Sequence, residues 1–217
     1  MANPENVEKI MKILSKYFSS FRKTTLNRMH REDPFKILVS CLISLRTQDK
    51  NTEKVVSNLF KFVKNPEDLA KMPTKKLEKI IYSSGFYKRK AKILKHVAKV
   101  LIEKYNGKIP EKREELVSIK GIGQKTANIV LAFAFNKRVL PIDTHCHRIP
   151  NRIGWVKTKR PEETEKALEK ILPKRYWKDF NGIFVLFGRT ICKPITPLCS
   201  KCPIESYCKK IGVKISK

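Results

Sequence analysis

Residues 116–128 read LVSIKGIGQKTAN, and this stretch decides how the rest of the chain is interpreted. An amphipathic segment ends, Gly121 and Gly123 allow a tight turn, and a second helix begins directly after it. The first amides of a helix have no partner within it, so they can hold a phosphate oxygen at the positive end of the helix. Glycines are common between helices, and the flanking Lys120 and Lys125 are what favour phosphate binding over an ordinary turn.

The charge of the whole chain also indicates a polyanionic partner. The 217 residues include 48 Lys and Arg against 20 Asp and Glu, a formal net charge of +28. High-temperature proteomes raise Glu together with Lys, and this chain does not, so nucleic acid is favoured. Hydrophobic residues make up 41% of the chain, but no uncharged stretch reaches the roughly 20 residues of a membrane-spanning helix. We expect an intracellular globular protein that binds nucleic acid and no membrane.

The hydrophobic periodicity is helical almost throughout. Apolar residues recur at a spacing of three to four from Val7 to Phe21, including Tyr17. Asp33 and Pro34 predict an N-cap and first turn, followed by a helix that is apolar nearly all round. Further helices are predicted at residues 87–105 and near 112–117, 124–135, 143–153, 161–172 and 175–189. Since no run of alternating β-formers is present, the sequence predicts an all-α fold.

The last quarter of the chain carries a metal-binding pattern. Four cysteines have the spacing C-x6-C-x2-C-x5-C: Cys192, Cys199, Cys202 and Cys208. Four thiolates in so short a segment can surround one centre, and the segment has no hydrophobic periodicity of its own. An iron–sulfur cluster is favoured modestly over structural zinc, because clusters tolerate more varied gaps. The other two cysteines, Cys41 and Cys146, stand in apolar helical surroundings and are interpreted as core residues.

Residues 143–148, DTHCHR, follow an apolar segment and begin another helix. Asp143 stands where the ordinary role of an aspartate is an N-cap. The functional alternative is a carboxylate that acts together with Lys125. His145 and His147 have no plausible metal set around them, so a phosphate contact or a capping hydrogen bond is expected of them.

The hairpin with its lysine, the aspartate that follows, and the terminal cysteine pattern occur in the same order as in endonuclease III. The chain thus resembles the endonuclease III family of helix-hairpin-helix DNA glycosylases over nearly its whole length. The resemblance implies an enzyme that excises damaged pyrimidines from double-stranded DNA and nicks the abasic strand through a lysine Schiff base. It makes Lys125 the nucleophile, Asp143 its carboxylate partner, and the four cysteines of the terminal pattern the ligands of a [4Fe-4S] cluster.

The resemblance also implies two helical lobes that flank a DNA-binding cleft. One is a six-helix barrel at residues 27–137 that contains the helix-hairpin-helix, about 116–128. The other joins residues 1–26 to 138–217 and carries the cluster loop at 192–208. A monomer acting on damaged bases or abasic sites is expected.

Several DNA contacts are implied by position. Arg46 and Phe86 stand at the two wedge positions, where the family commonly has glutamine and leucine, and would fill the gap left by a flipped base. Lys120 replaces a usual proline. Gly121 and Gly123 would supply phosphate-binding amides, and His145 would contact a phosphate.

Two other functions stay open at this point. One is a mismatch glycosylase acting on thymine or uracil opposite guanine, or on adenine opposite oxidised guanine. The other is a DNA-binding module without catalysis. Lys125 together with Asp143 favours the bifunctional enzyme, because the mismatch branches usually lack the lysine.

Overall fold

The computed structural model describes residues 4–20, 33–47 and 49–217. Within these ranges the regular structure is helical and no strand occurs. The α-helices are α1 (Pro4–Tyr17), α2 (Pro34–Ser44), α3 (Asp49–Leu59), α4 (Pro66–Lys71), α5 (Thr74–Ile81), α6 (Tyr87–Tyr105), α7 (Arg113–Ser118), α8 (Gln124–Phe133), α9 (Thr144–Ile153), α10 (Pro161–Ile171) and α11 (Trp177–Thr190). The predicted all-α fold is confirmed. No helix of this part of the chain has the length and apolar character needed to cross a bilayer.

The chain divides into two compact units. The hairpin unit ends at Lys137 and contains helices α2 to α8. The cysteine unit combines α1 with residues 138–217, which include α9 to α11 and the segment that carries the four cysteines. The start of the predicted barrel, residue 27, lies outside the described residues.

The hairpin unit is organised around α2 and α6. Asp33 Oδ1 accepts from the backbone N–H groups of Phe35 at 2.9 Å and Lys36 at 3.1 Å, so the predicted N-cap of α2 is present. Residues 37–43 of α2 are all buried, as its all-round apolar sequence predicts. Helix α2 packs against α3 and α8, while α4 and α5 pack against α6.

The cysteine unit has an aromatic core on α11. Phe180 and Phe184 lie 4.1 Å apart between ring centroids, and Trp155 lies 5.7 Å from Phe184. The apolar stripe of α1 belongs to the same core. Tyr17 corrects the prediction, because it is 42% exposed at the last position of α1 rather than buried on the stripe. Phe21 lies outside the described residues.

Candidate functional site

The turn between α7 and α8 forms the predicted hairpin. Ile119 and Ile122 are buried, and the Ile122 N–H donates to the Ile119 carbonyl at 3.0 Å. Lys120, Gly121 and Gly123 are exposed. The two isoleucines therefore fix the turn to the core of the hairpin unit, while its polar tip faces solvent.

Glycine is required at only one of the two turn positions. Gly121 has a φ of +105°, and a Cβ there would stand 2.6 Å from Ile93 Cγ2. Gly123 has a φ of −90°, which any residue adopts, and a Cβ there would meet no atom within 4 Å. This corrects the expectation that both glycines make the turn. Gly123 instead leaves open space before the first amides of α8, as the predicted phosphate contact requires.

Lys125 is the second residue of α8 and is half-buried. The buried Cys41 of the same unit lies within its electrostatic reach. Burial raises the pKa of the Cys41 thiol to about 12, and the positive charge of Lys125 opposes part of that rise. Cys41 is therefore a protonated core thiol, which confirms its predicted role.

Asp143 belongs to the cysteine unit, where it is the N-cap of α9. Its Oδ1 accepts from the backbone N–H groups of His145 at 2.9 Å and Cys146 at 2.8 Å. The capping role expected from the sequence is thus present. Cys146 is fully buried in the core, as predicted. The catalytic role of Asp143 stays a prediction.

His145 is half-buried, and its ring faces protein groups. Its Nδ1 lies 3.2 Å from Arg148 Nη2, which also donates to the Cys192 carbonyl at 2.7 Å. A Cβ at Gly188 would come within 2.1 Å of the same Nδ1, so this glycine of α11 makes room for the ring. The neighbouring His147 Nδ1 lies 2.6 Å from Thr164 Oγ1.

The two predicted wedge residues come together in the hairpin unit. The Arg46 guanidinium carbon lies 5.7 Å from the centroid of the Phe86 ring, within the range of a cation–π contact. Both residues have left-handed backbones, with φ of +55° and +48°. Phe86 is 62% exposed, so the pair projects into solvent.

Sequence reasoning missed Lys90, which lies behind this pair. It is 6% exposed, and burial lowers the pKa of its ammonium to about 8. A signal was available, because Lys90 stands at i with Leu94 at i+4 and Val97 at i+7 on the buried face of α6.

The four cysteines of the terminal pattern line one cavity of the cysteine unit. Burial raises the pKa of Cys202 to about 11 and also raises that of Cys208. Cys208 Sγ accepts from the Lys210 N–H at 3.4 Å. No three His, Cys, Asp or Glu side chains in residues 4–20, 33–47 and 49–217 already stand in a metal-binding arrangement.

Arg152 is a second residue that sequence reasoning missed. It is 7% exposed, and its guanidinium donates to Cys192 Sγ at 3.3 Å and to the carbonyls of Lys193 and Pro194 at 2.8 and 2.9 Å. The donor set of the cavity is therefore four soft sulfur atoms with N–H groups directed at two of them, which fits an iron–sulfur cluster or zinc.

Comparison with known proteins places this architecture in a family. Residues 39–174 match the HhH-GPD superfamily of base excision DNA repair proteins. The chain is 49% identical to the Endonuclease III of Thermotoga maritima over 183 residues, 84% of this chain and 86% of the relative. The chain belongs to the HhH-GPD superfamily of base excision DNA repair proteins and, within it, to the endonuclease III family.

Solved structures agree with this assignment. A trapped covalent intermediate of an Endonuclease III with DNA superposes with a TM-score of 0.86 at 32% identity, covering 97% of each chain. A thermostable thymine-DNA glycosylase superposes with a TM-score of 0.83 at 26% identity, covering 95% of this chain and 96% of that one.

Proposed function

We propose that this protein, a base excision DNA glycosylase and abasic-site lyase, removes damaged pyrimidines from duplex DNA with Lys125 as the nucleophile. The position of Lys125 carries the proposal. It is half-buried in the first turn of α8, directly after the glycine turn that begins at the exposed Lys120. A phosphate held by the first amides of α8 would bring the DNA backbone to this amine.

The reaction begins with a base turned out of the duplex. The neutral Nζ of Lys125 attacks C1′ of the sugar, and the electrons of the glycosidic bond leave with the base, which takes up a proton. Nζ then loses a proton, its lone pair forms a Schiff base with C1′, and the C1′–O4′ bond breaks as O4′ takes up a proton and the sugar ring opens. The Schiff base makes a C2′ proton acidic, and loss of that proton expels the 3′ phosphate by β-elimination. Water then releases the sugar and restores the lysine.

Asp143 supplies negative charge to this reaction. Positive charge develops on the sugar as the base leaves. A fixed carboxylate stabilises this transition state more than it stabilises the ground state, in which the sugar is uncharged. The two backbone N–H groups that Oδ1 accepts hold the carboxylate in one orientation. The N-cap of α9 is therefore also the device that preorganises the charge.

The four cysteines of the terminal pattern hold a [4Fe-4S] cluster in this proposal. Their shared cavity and the N–H groups of Arg152 and Lys210 directed at sulfur support it. The cluster organises the segment of residues 192–208, which has no regular helix beyond two short 3-10 turns. The ligands must be thiolates, so binding couples to folding of this segment.

The DNA-contact residues and the two units complete the proposal. The wedge residues Arg46 and Phe86, together with Lys120, Gly121, Gly123 and His145, contact the DNA. The hairpin unit corresponds to the six-helix barrel and the cysteine unit to the cluster lobe. A monomer acting on double-stranded DNA inside the cell is the proposed working form.

Reductive trapping tests the role of Lys125. Borohydride added during turnover on a duplex with one oxidised pyrimidine should fix a covalent protein–DNA adduct. Lys125→Gln should abolish the adduct while DNA binding largely persists, because one charge among many is lost. Lys120→Gln, with the same charge change on the exposed tip of the hairpin, is the matched control and should still form it. An undiminished adduct in the Lys125→Gln protein would refute the assignment.

A mismatch glycosylase is the second candidate, favoured by the likeness to the thymine-DNA glycosylase structure. A panel of duplexes, each with one lesion or mismatch, separates the two functions when base release and strand nicking are scored separately. Nicking coupled to release of oxidised pyrimidines supports the first function. Release of thymine opposite guanine without nicking supports the second.

A further inference from the structure

Lys90 has an unusual environment for a lysine. Its Nζ donates to the carbonyl of Ile43 at 2.7 Å, the carbonyl of Ser84 at 2.7 Å and Thr47 Oγ1 at 2.6 Å. An ammonium group has three N–H donors, so all three are used. Each of the three acceptors is uncharged. Hydrogen bonds donated by a charged ammonium are nevertheless about twice as strong as those between two neutral groups.

The three acceptors belong to two turns that are distant in sequence. Ile43 and Thr47 flank the turn after α2 that carries Arg46, and Ser84 stands just before the turn that carries Phe86. Thr47 Oγ1 also lies 2.8 Å from the Ile43 carbonyl and 2.5 Å from the Ser84 carbonyl. One buried network therefore joins the backbones of both turns.

The turns joined in this way are those with left-handed residues. A left-handed backbone costs a non-glycine residue about 1–2 kcal/mol, and it persists only where the surroundings determine it. Arg46 and Phe86 both have this conformation, and their side chains are in contact. The network adds hydrogen bonds next to both strained residues, beyond the bond from the Thr47 N–H to the Ser44 carbonyl and that from the Lys90 N–H to the Phe86 carbonyl.

We propose that Lys90 is a positioning residue that holds Arg46 and Phe86 as one preassembled wedge. The inference rests on the proposed function, since it concerns how that enzyme opens the duplex. A wedge that is ordered before binding loses less conformational entropy when it enters the base stack. The alternative is a purely structural role, in which Lys90 only provides hydrogen bonds to carbonyls at the ends of two helices.

Helix α6 offers a matched control. Lys95 also donates to two backbone carbonyls, those of Ala70 and of Met72, the latter at 2.6 Å. Its acceptors lie at the end of α4, away from the turns with Arg46 and Phe86. Lys90→Met and Lys95→Met therefore both remove a lysine that bonds to carbonyls, and only the first affects the wedge.

The first measurement compares two substrates. Lys90→Met should slow single-turnover base release from a lesion-containing duplex about tenfold or more, since small misplacements in a site reduce rates on this scale. Borohydride trapping on single-stranded abasic DNA needs no wedge. The rate of trapping in Lys90→Met should therefore be reduced by a factor at least about ten times smaller than the reduction in base release from the duplex. A 2-aminopurine beside the lesion should lose most of its fluorescence rise, which reports unstacking. Lys95→Met should match the wild type in all three assays.

A double-mutant cycle tests whether Lys90 acts through the wedge. Phe86→Ala combined with Lys90→Met should release the base no more slowly than Phe86→Ala alone, because effects on one unit are not additive. Thr47→Val removes the hydroxyl from the same network, keeps the lysine, and should give a smaller loss in the same direction. It also serves if Lys90→Met does not fold.

Specific outcomes would overturn the inference. These are additive effects in the cycle, equal losses on both substrates, equal losses in Lys95→Met, or wild-type duplex activity in both Lys90→Met and Thr47→Val. The proposed function is tested separately, on the wild-type protein: absence of an adduct with abasic DNA would count against that function, whereas the outcomes above concern Lys90 alone.

Discussion

Asp143 allows the stability of a helix and the chemistry of the site to be separated by one substitution. Its Oδ1 accepts two backbone hydrogen bonds, at 2.9 and 2.8 Å, and Asn caps a helix about as well as Asp. Asp143→Asn therefore keeps the cap and loses only the charge, which is worth about 0.3–1 kcal/mol at a helix N-terminus. Asp143→Ala also loses the cap, at a cost of about 1 kcal/mol, with a range of about 0.5–2.

The effect on rate should be much larger than the effect on stability. For a chain of this size, 1 kcal/mol corresponds to about 2–4 °C in Tm, so Asp143→Asn should melt within about 4 °C of the wild type. Removing one preorganised electrostatic group from a transition state costs about 10²–10³ in rate. We therefore expect Asp143→Asn to slow base release about a hundredfold or more.

The assay is single-turnover base release from a duplex with one oxidised pyrimidine, paired with thermal unfolding of each variant. Asp33→Asn is the matched control, because Asp33 caps α2 through bonds to Phe35 and Lys36 of 2.9 and 3.1 Å. It should lower Tm by no more than Asp143→Asn does, since the same charge is lost at a helix N-terminus, and it should leave the rate unchanged. If Asp143→Asn releases the base within about threefold of the wild-type rate, or Asp33→Asn is equally slow, the carboxylate has no role beyond capping.

Three further predictions concern the metal, the DNA and pH. The purified protein should hold about four irons per chain and show a broad visible absorption band. Cys202→Ser should lose the iron and the absorption band. A colourless protein that holds one zinc per chain would contradict the cluster. The logarithm of DNA affinity should fall linearly with the logarithm of salt concentration. Lys120→Ala should lower the slope by about one, and the control Lys64→Ala, outside the hairpin, should leave the slope unchanged. An affinity that does not change with salt would exclude the net charge as its source. Burial lowers the pKa of Lys90 to about 8, against about 10.4 in the unfolded chain, so between these values the unfolded state binds more protons. The free energy of unfolding should therefore rise with pH from about 8 to about 10, by up to about 2 kcal/mol relative to Lys90→Met. If urea denaturation gives a constant difference in free energy of unfolding between the two proteins over this pH range, Lys90 does not titrate there.

The sequence alone determined those features whose physical cause lies within a turn or two of chain. The N-caps at Asp33 and Asp143 are read from residue type and position, since the side chain bonds to amides two and three residues ahead. The buried faces of the helices follow from a period of 3.6 residues. The cysteine spacing needs no knowledge of the rest of the fold to indicate a shared centre.

Tertiary structure alone decided the features that depend on residues distant in sequence. Gly121 needs to be glycine partly because Ile93 of α6 lies against it. Lys90 is buried because carbonyls from two separate turns meet at its ammonium, and a lysine's own sequence neighbours do not show whether acceptors will be present. The partnership of Arg152 with Cys192 has the same origin. Local propensity and periodicity are properties of one segment, whereas satisfaction of a buried charge is a property of the packed molecule.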